Sequence, residues 1–89
     1  MGPRLLTLTE RNSRDELSLE IGSRLRAMRQ SQGKSMQEVS DESGVSKAYI
    51  CEIEHGQAHV TVAILNKWVE ALGWTLGGFF GYLERRLRQ

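Results

Sequence analysis

Apolar residues recur at helical spacing over most of this chain. Leu17, Ile21, Leu25 and Met28 follow one another at intervals of four, four and three residues. An α-helix turns once in 3.6 residues, so these side chains would share one face. The only proline is Pro3, and β-branched residues rarely occur in runs, which favours helices over strands. The pattern therefore predicts an all-α fold.

Short polar residues and glycines mark the expected helix boundaries. The first helix is predicted to begin at about Arg14, where Ser13 and Glu16 have capping-box spacing. Residues 1–13 lack sustained periodicity and are interpreted as a mobile arm preceding one domain over residues 14–89. Five short helices are predicted, with later caps at Ser35, Ser46, Thr61 and Thr75 and ends at Gly33, Gly44, Gly56 and Gly73.

The stretch 35–56 has the composition of a helix, a glycine turn and a second helix. Gly44 can adopt the positive φ that a tight turn between two short helices requires. Such a turn would hold the second helix at the surface, where it could enter the major groove of DNA. The apolar residues expected to fix the angle between the helices are Val39, Val45, Ile50 and Ile53.

This stretch resembles the phage repressor/Cro-like helix-turn-helix family, also called the XRE family. The resemblance covers residues 21–80. It implies a five-helix, lambda-repressor-like DNA-binding domain that acts as a dimeric repressor at a near-palindromic operator in double-stranded DNA. Small members resemble plasmid, phage, toxin–antitoxin or restriction–modification control proteins, among which the sequence does not choose. The matching residues are Gln37-Glu38-Val39, Gly44-Val45-Ser46, Tyr49-Ile50, Ile53-Glu54 and Gly56, flanked by Ile21-Gly22, Arg29, Leu65, Ala71-Leu72-Gly73 and Phe79-Phe80.

The resemblance also implies roles for individual positions. Arg29 and Glu54 match a structural ion pair between the first and third helices. Arg24 is expected to add positive charge for the phosphates. DNA base contacts are expected at Ser46, Lys47, Ala48 and Glu52. The remaining DNA backbone contacts are expected at Gln37, Tyr49 and His55.

The C-terminal third carries more apolar surface than one small core should use. Leu65, Val69, Leu72 and Phe79 were expected to suffice for the core. The remainder predicts a homodimer interface, because a large exposed apolar patch favours association. An alternative is that some of these remaining apolar residues belong to the core and that the fifth helix frays after Gly81. The residues predicted for the interface are Ile64, Trp68, Trp74, Phe80, Leu83 and Leu87.

The charge distribution supports a second hypothesis. The net charge is only +1, and residues 35–72 hold six acidic against two basic side chains. An acidic middle would suit a protein-interaction module, such as an antitoxin that binds a partner protein through the same scaffold. In the resembling regulators an acidic patch on the second helix can contact RNA polymerase, which is therefore a further candidate partner.

Metal, cofactor and catalytic chemistry are not expected. Cys51, His55 and His59 are spaced four apart, but Gly56 interrupts the helix and a fourth ligand is not evident. The serines lack a His/Asp arrangement, and the glycines form no phosphate loop. A single cysteine suggests a reducing compartment, and no stretch approaches the ~20 apolar residues of a membrane span. These features predict a cytoplasmic protein that is not an enzyme and has no membrane partner.

Overall fold

The computed structural model describes the backbone of residues 8–88 and the side chains of residues 16–88. Within that range the chain forms five α-helices and no strand, which confirms the all-α prediction. None of these helices has both the length and the apolar character needed to cross a bilayer. The helices are α1 Leu8–Ser31, α2 Met36–Ser43, α3 Lys47–Glu54, α4 Val62–Ala71 and α5 Leu76–Leu87.

Side-chain caps start the four later helices at the predicted residues. Ser35, Ser46, Thr61 and Thr75 each accept a hydrogen bond from the backbone N–H three residues on. In α2 the cap is reciprocal, because the Glu38 carboxylate accepts from the Ser35 backbone N–H. Each cap satisfies an N–H that helix geometry leaves without a partner.

The start of α1 differs from the prediction. The helix begins at Leu8 rather than at about Arg14, so Ser13 lies inside it. Residues 4–13 contain neither proline nor glycine, and a helix entering that stretch meets no residue that would end it. Capping-box spacing permits a helix start without requiring one. Residues 8–13 of the predicted arm are therefore helical, and residues 1–7 lie outside the described part of the chain.

Trp68 and Phe79 are fully buried, the largest side chains in the core. Burial of one large apolar side chain stabilises the fold by roughly 1.5–3 kcal/mol, so the core is the main source of stability. The residues expected to fix the helix-turn-helix angle are all buried. The complete core is Leu25, Met28, Val39, Val45, Ile50, Ile53, Leu65, Trp68, Val69, Leu72, Phe79 and Leu83.

Two residues predicted for a dimer interface belong instead to this core. The Trp68 side chain has no exposed surface, and Leu83 is 5% exposed. The core at the junction of α4 and α5 is larger than the sequence suggested, and it absorbs one face of each helix. Residue Phe80 is exposed, and α5 continues to Leu87 without fraying after Gly81. Of the six residues predicted for the interface, Ile64, Trp74, Phe80 and Leu87 keep exposed surface, and we call these four the C-terminal apolar surface.

Gly22 brings the backbones of α1 and α3 into direct contact. A Cβ atom at this position would lie 2.0 Å from the carbonyl oxygen of Ile53. Only glycine permits this approach, since real Cβ atoms are not found at that distance from an oxygen. The close packing fixes the position of α3 against the long helix behind it.

Candidate nucleic-acid interface

α2 and α3 form a helix-turn-helix closed by three local contacts. Gly44 has a φ of 79°, and its N–H donates to the Ser40 carbonyl at 2.9 Å. The Ser43 hydroxyl oxygen accepts from the Val45 N–H at 3.1 Å. The Val45 side chain is buried below the turn. A left-handed glycine followed by a buried valine gives the chain one way to pass from α2 into α3.

An ion pair holds α3 from behind. Arg29 donates from Nε to Glu54 Oε2 at 2.7 Å and from Nη2 to Glu54 Oε1 at 2.8 Å. Its Nη1 donates to the Lys34 carbonyl at 2.8 Å, and the Glu54 side chain has no exposed surface. The hydrogen bond that Arg29 donates to Glu54 raises the pKa of Arg29 against the opposing effect of burial. A bidentate pair of this kind fixes orientation as well as distance.

The outer face of α3 carries the positions expected to read bases. Ala48, Glu52 and His55 are exposed at intervals of four and three residues, and Lys47 is exposed beside them. Ile50, Ile53 and Glu54 are buried on the opposite side. Among the described side chains no carboxylate pairs with Lys47, so its charge is available to a ligand. We call Lys47, Ala48, Glu52 and His55 the α3 outer face.

Ser46 and Gln37 lie at helix N-terminal ends. The Ser46 oxygen accepts from the Tyr49 N–H at 3.2 Å, which leaves its own O–H to donate. Gln37 is exposed in the first turn of α2, and its Nε2 donates to Asp41 Oδ1 at 2.9 Å. The second N–H of the Gln37 amide remains available to donate. Both groups can donate to an anion where the helix dipole is positive.

Tyr49 has a different role from the one expected. Its hydroxyl donates to the His59 carbonyl at 2.7 Å, and its ring is half-buried. A phenol has a single proton to donate, so this hydroxyl cannot also donate to a phosphate. The contact ties α3 to the segment before α4. No local sequence pattern indicates this contact, because the acceptor is a backbone group ten residues away in an irregular segment.

Arg24 is also placed away from the α3 outer face. It lies two residues after Gly22, about 200° around the helix from the contact with α3. Its Nε donates to Glu20 Oε1 at 2.8 Å. That bond is the main cause of a raised pKa for Arg24. Arg24 is therefore paired with a carboxylate of its own helix.

Two residues in the turn before α2 have structural roles that the sequence did not predict. Lys34 donates from Nζ to the Ala71 carbonyl at 3.1 Å and to Glu42 Oε2 at 2.7 Å. Gln32 donates from Nε2 to the Leu72 carbonyl at 2.6 Å. Both carbonyls belong to the end of α4, where helix geometry leaves acceptors unpaired. The available signal was Lys34 itself, at a position that is usually apolar in the resembling family.

Cys51, His55 and His59 do not converge on one point. The Cys51 sulfur lies 3.7 Å from His55 Nδ1, whereas His59 Nδ1 lies 3.2 Å from the Ser18 hydroxyl of α1. Gly56, with a φ of 69°, turns the chain between the two histidines. Within residues 16–88 no group of three His, Cys, Asp or Glu side chains is arranged to hold a metal ion.

Comparison with known proteins gives a family match, a relative in sequence and two structural neighbours. A family model described as helix-turn-helix matches residues 25–79. The transcriptional regulator ClgR of Mycobacterium tuberculosis (strain H37Rv) is 40% identical over 52 residues, which are 58% of this chain and 46% of the relative. The chain thus spans less than half the length of that relative.

Two solved structures share the fold. The clp gene regulator ClgR from C. glutamicum superposes with a TM-score of 0.70 at 25% identity, covering 94% of this chain and 95% of that one. The restriction-modification controller protein C.Esp1396I, a tetramer in complex with its natural 35 base-pair operator, has a TM-score of 0.75 at 19% identity. That match covers 82% of this chain and 96% of the controller chain.

Proposed function

The chain belongs to the helix-turn-helix family, and from that premise we propose that it is a transcriptional regulator that binds a near-palindromic operator as a dimeric repressor. The α3 outer face carries this proposal. α3 is held rigidly from behind, by Gly22 and by the Arg29–Glu54 pair, while the side chains of its outer face remain exposed. A rigid exposed helix is the element that enters a major groove.

The chemistry of the α3 outer face suits base edges. Lys47, in the first turn, can donate to guanine O6 and N7. Ala48 is small enough to permit close approach and to meet a thymine methyl group. Glu52 can accept from the cytosine amino group. Ser46, at the N-terminal end of α3, would donate to a base edge beside Lys47. Gln37, at the N-terminal end of α2, would donate to a flanking phosphate and fix the register.

A dimer would form through the C-terminal apolar surface. Phe80 and Leu87 are 42% and 52% exposed on α5, and Ile64 and Trp74 are half-buried beside the same junction. Pairing by a twofold axis would bury these side chains and place two α3 helices in successive major grooves about 34 Å apart. The tetrameric operator complex of the controller protein C.Esp1396I supports oligomeric binding here.

Selection from a random-sequence pool of DNA duplexes tests the proposal. The enriched duplexes should contain an inverted repeat with half-sites one helical turn apart, bound by two chains as measured by sedimentation. Log affinity should fall linearly with log salt, because each phosphate contact releases counterions. A pool that stays unenriched after repeated rounds would contradict the proposal.

The protein-interaction hypothesis predicts a different outcome. An antitoxin-like module would bind its partner with weak salt dependence and would enrich no inverted repeat. The acidic side chains of α2 give limited support to such a surface or to an RNA polymerase contact. Glu38 accepts from the Ser35 N–H, Asp41 accepts from Gln37, and Glu42 pairs with Lys34, so these carboxylates already have partners within the chain. A DNA ligand also agrees with the cytoplasmic location expected from the single cysteine.

A further inference from the structure

The hydrogen bond of one imidazole nitrogen fixes what the other can do. His55 follows α3 directly, is exposed, and places Nδ1 2.7 Å from the Cys51 carbonyl oxygen. A carbonyl oxygen only accepts, so Nδ1 must carry the hydrogen. A neutral imidazole has one N–H, and its Nε2 is then an acceptor. In the neutral form the outward nitrogen of His55 therefore presents a lone pair to a ligand.

A phosphate oxygen is also an acceptor, and two acceptors cannot share a hydrogen bond. A protonated imidazole has an N–H at both nitrogens and carries the charge that a phosphate attracts. We propose that His55 contacts the DNA backbone only as an imidazolium, so that a chain whose His55 is neutral takes up one proton when it binds DNA. This inference rests on the proposed DNA-binding function, and it adds to it a dependence on pH.

The charged side chains around His55 do not supply an anionic partner for its ring, which leaves that role to a DNA phosphate. On its own element, Cys51 is 3.7 Å away through sulfur, and Glu52 lies one turn back. On α1, which packs on α3, Arg29 is engaged by Glu54, Glu20 pairs with Arg24, and Arg26 is exposed.

From α2, which also packs on α3, the acidic side chains are Glu38, Asp41 and Glu42, each bonded within the chain. His59, in the segment after α3, meets Ser18. Among the described side chains, no carboxylate lies within 4.0 Å of the His55 ring. A DNA phosphate would therefore be the first anion at contact distance.

The test measures affinity for an enriched duplex between pH 5.5 and 7.5 at fixed salt. The chain has two histidines, and histidine is the side chain that ordinarily titrates in this range. Affinity should be about tenfold higher at the acidic end, as one charge-assisted hydrogen bond can supply. The slope of log affinity against log salt should also be steeper there, by about one phosphate contact.

Two variants show which histidine produces the pH response of DNA binding. His55→Gln should bind with an affinity nearly independent of pH, because a glutamine amide donates at every pH. His59→Gln, the matched control, should keep the full pH response, since His59 faces α1. Calorimetry in buffers of different ionisation enthalpy should register uptake of about one proton per wild-type chain and none for His55→Gln.

Strong binding with the same affinity and salt slope at both ends of the range would overturn this inference and leave the proposed function intact. A pH response that disappears in His59→Gln rather than in His55→Gln would also overturn it. An absence of DNA binding at every pH would overturn both.

Discussion

Gly22 of α1 and Ile53 of α3 meet backbone to backbone, with no room for a side chain between the helices. The contact lies two turns from the Arg29–Glu54 pair along α1 and directly beside it along α3. Steric contact and charge thus fix the same helix at neighbouring points. Because two different contacts hold α3, the effect on stability of removing each one can be measured separately.

Gly22→Ala should destabilise the protein by about 1–3 kcal/mol or more, because the new methyl group meets a backbone carbonyl that cannot rotate away. The melting temperature should then fall by roughly 4–8 °C for each kcal/mol of lost stability. Gly77→Ala is the matched control. A Cβ there meets nothing within 4 Å, so that variant should keep or gain stability. Equal melting temperatures for the two variants would refute the close packing of α1 and α3.

Glu54→Ala should cost about 3–5 kcal/mol, because it leaves the Arg29 guanidinium buried without its partner. Glu84→Ala, which removes the exposed partner of Arg88, should cost about 1 kcal/mol or less. Urea unfolding monitored by circular dichroism measures both.

The stabilisation by this pair should also be constant across neutral pH. The pKa of Arg29 is raised by Glu54, so its contribution is present below the ordinary arginine pKa. It would be lost only as the pH rises through the raised folded value, far into the alkaline range. A contribution from Arg29 that disappears between pH 6 and 9 would contradict the assignment.

Lys47→Ala should weaken binding to an enriched duplex by about 1–3 kcal/mol and binding to unrelated DNA by less, because a base contact is lost. Lys67→Ala removes an equally exposed lysine from α4 and should leave both affinities nearly unchanged. Fluorescence anisotropy at one salt concentration measures both duplexes. Equal weakening by Lys47→Ala on both would reduce its role to a phosphate contact.

Tyr49→Phe should lower stability by about 0.5–1.5 kcal/mol, because the His59 carbonyl loses its donor. The salt dependence of DNA binding should not change, since the hydroxyl proton is already used within the chain. Parallel measurements of melting and of the salt slope separate these effects. A shallower slope with unchanged stability would restore the phosphate contact expected from the sequence.

Leu87→Glu should dissociate the proposed dimer while the helical content persists, because Leu87 is 52% exposed on α5. Leu83→Glu should instead unfold the chain, since it would bury a charge in the core. Val62→Glu controls for added charge at an exposed apolar residue on another face. Sedimentation and circular dichroism distinguish the three variants. A wild-type chain that stays monomeric with and without DNA would end the dimer hypothesis.

Local signals in the sequence predicted most of the fold. Capping side chains such as Ser35 and Thr61 and left-handed turns such as Gly44 depend on residues three or four positions apart. Those relationships are visible in a linear sequence. The position of Arg29 opposite Glu54 was implied by resemblance, because no periodicity connects residues 25 positions apart.

The differences arose where distant segments meet. Trp68 and Leu83 were assigned to a partner because nothing local indicates how much surface α4 and α5 bury against each other. The sequence assigns Tyr49 to a phosphate because its actual partner, the His59 carbonyl, lies in an irregular segment. Arg24 instead pairs with Glu20, one turn away on its own helix. An extended side chain with a polar tip can serve a ligand or its own chain, and the sequence alone does not distinguish the two.

The hydrogen bonds from Gln32 and Lys34 to the end of α4 connect the turn that leads into the proposed DNA-binding helices to the helices that would face a second chain. Inserting one base pair between operator half-sites shifts one half by about 3.4 Å and rotates it by about 34°. A protein with a hinge between its DNA-binding surface and its dimer surface could follow such a change. A protein with hydrogen bonds across the junction of these two surfaces could not. The half-site spacing that an operator must have would then be set by two side chains that touch neither the bases nor the other subunit.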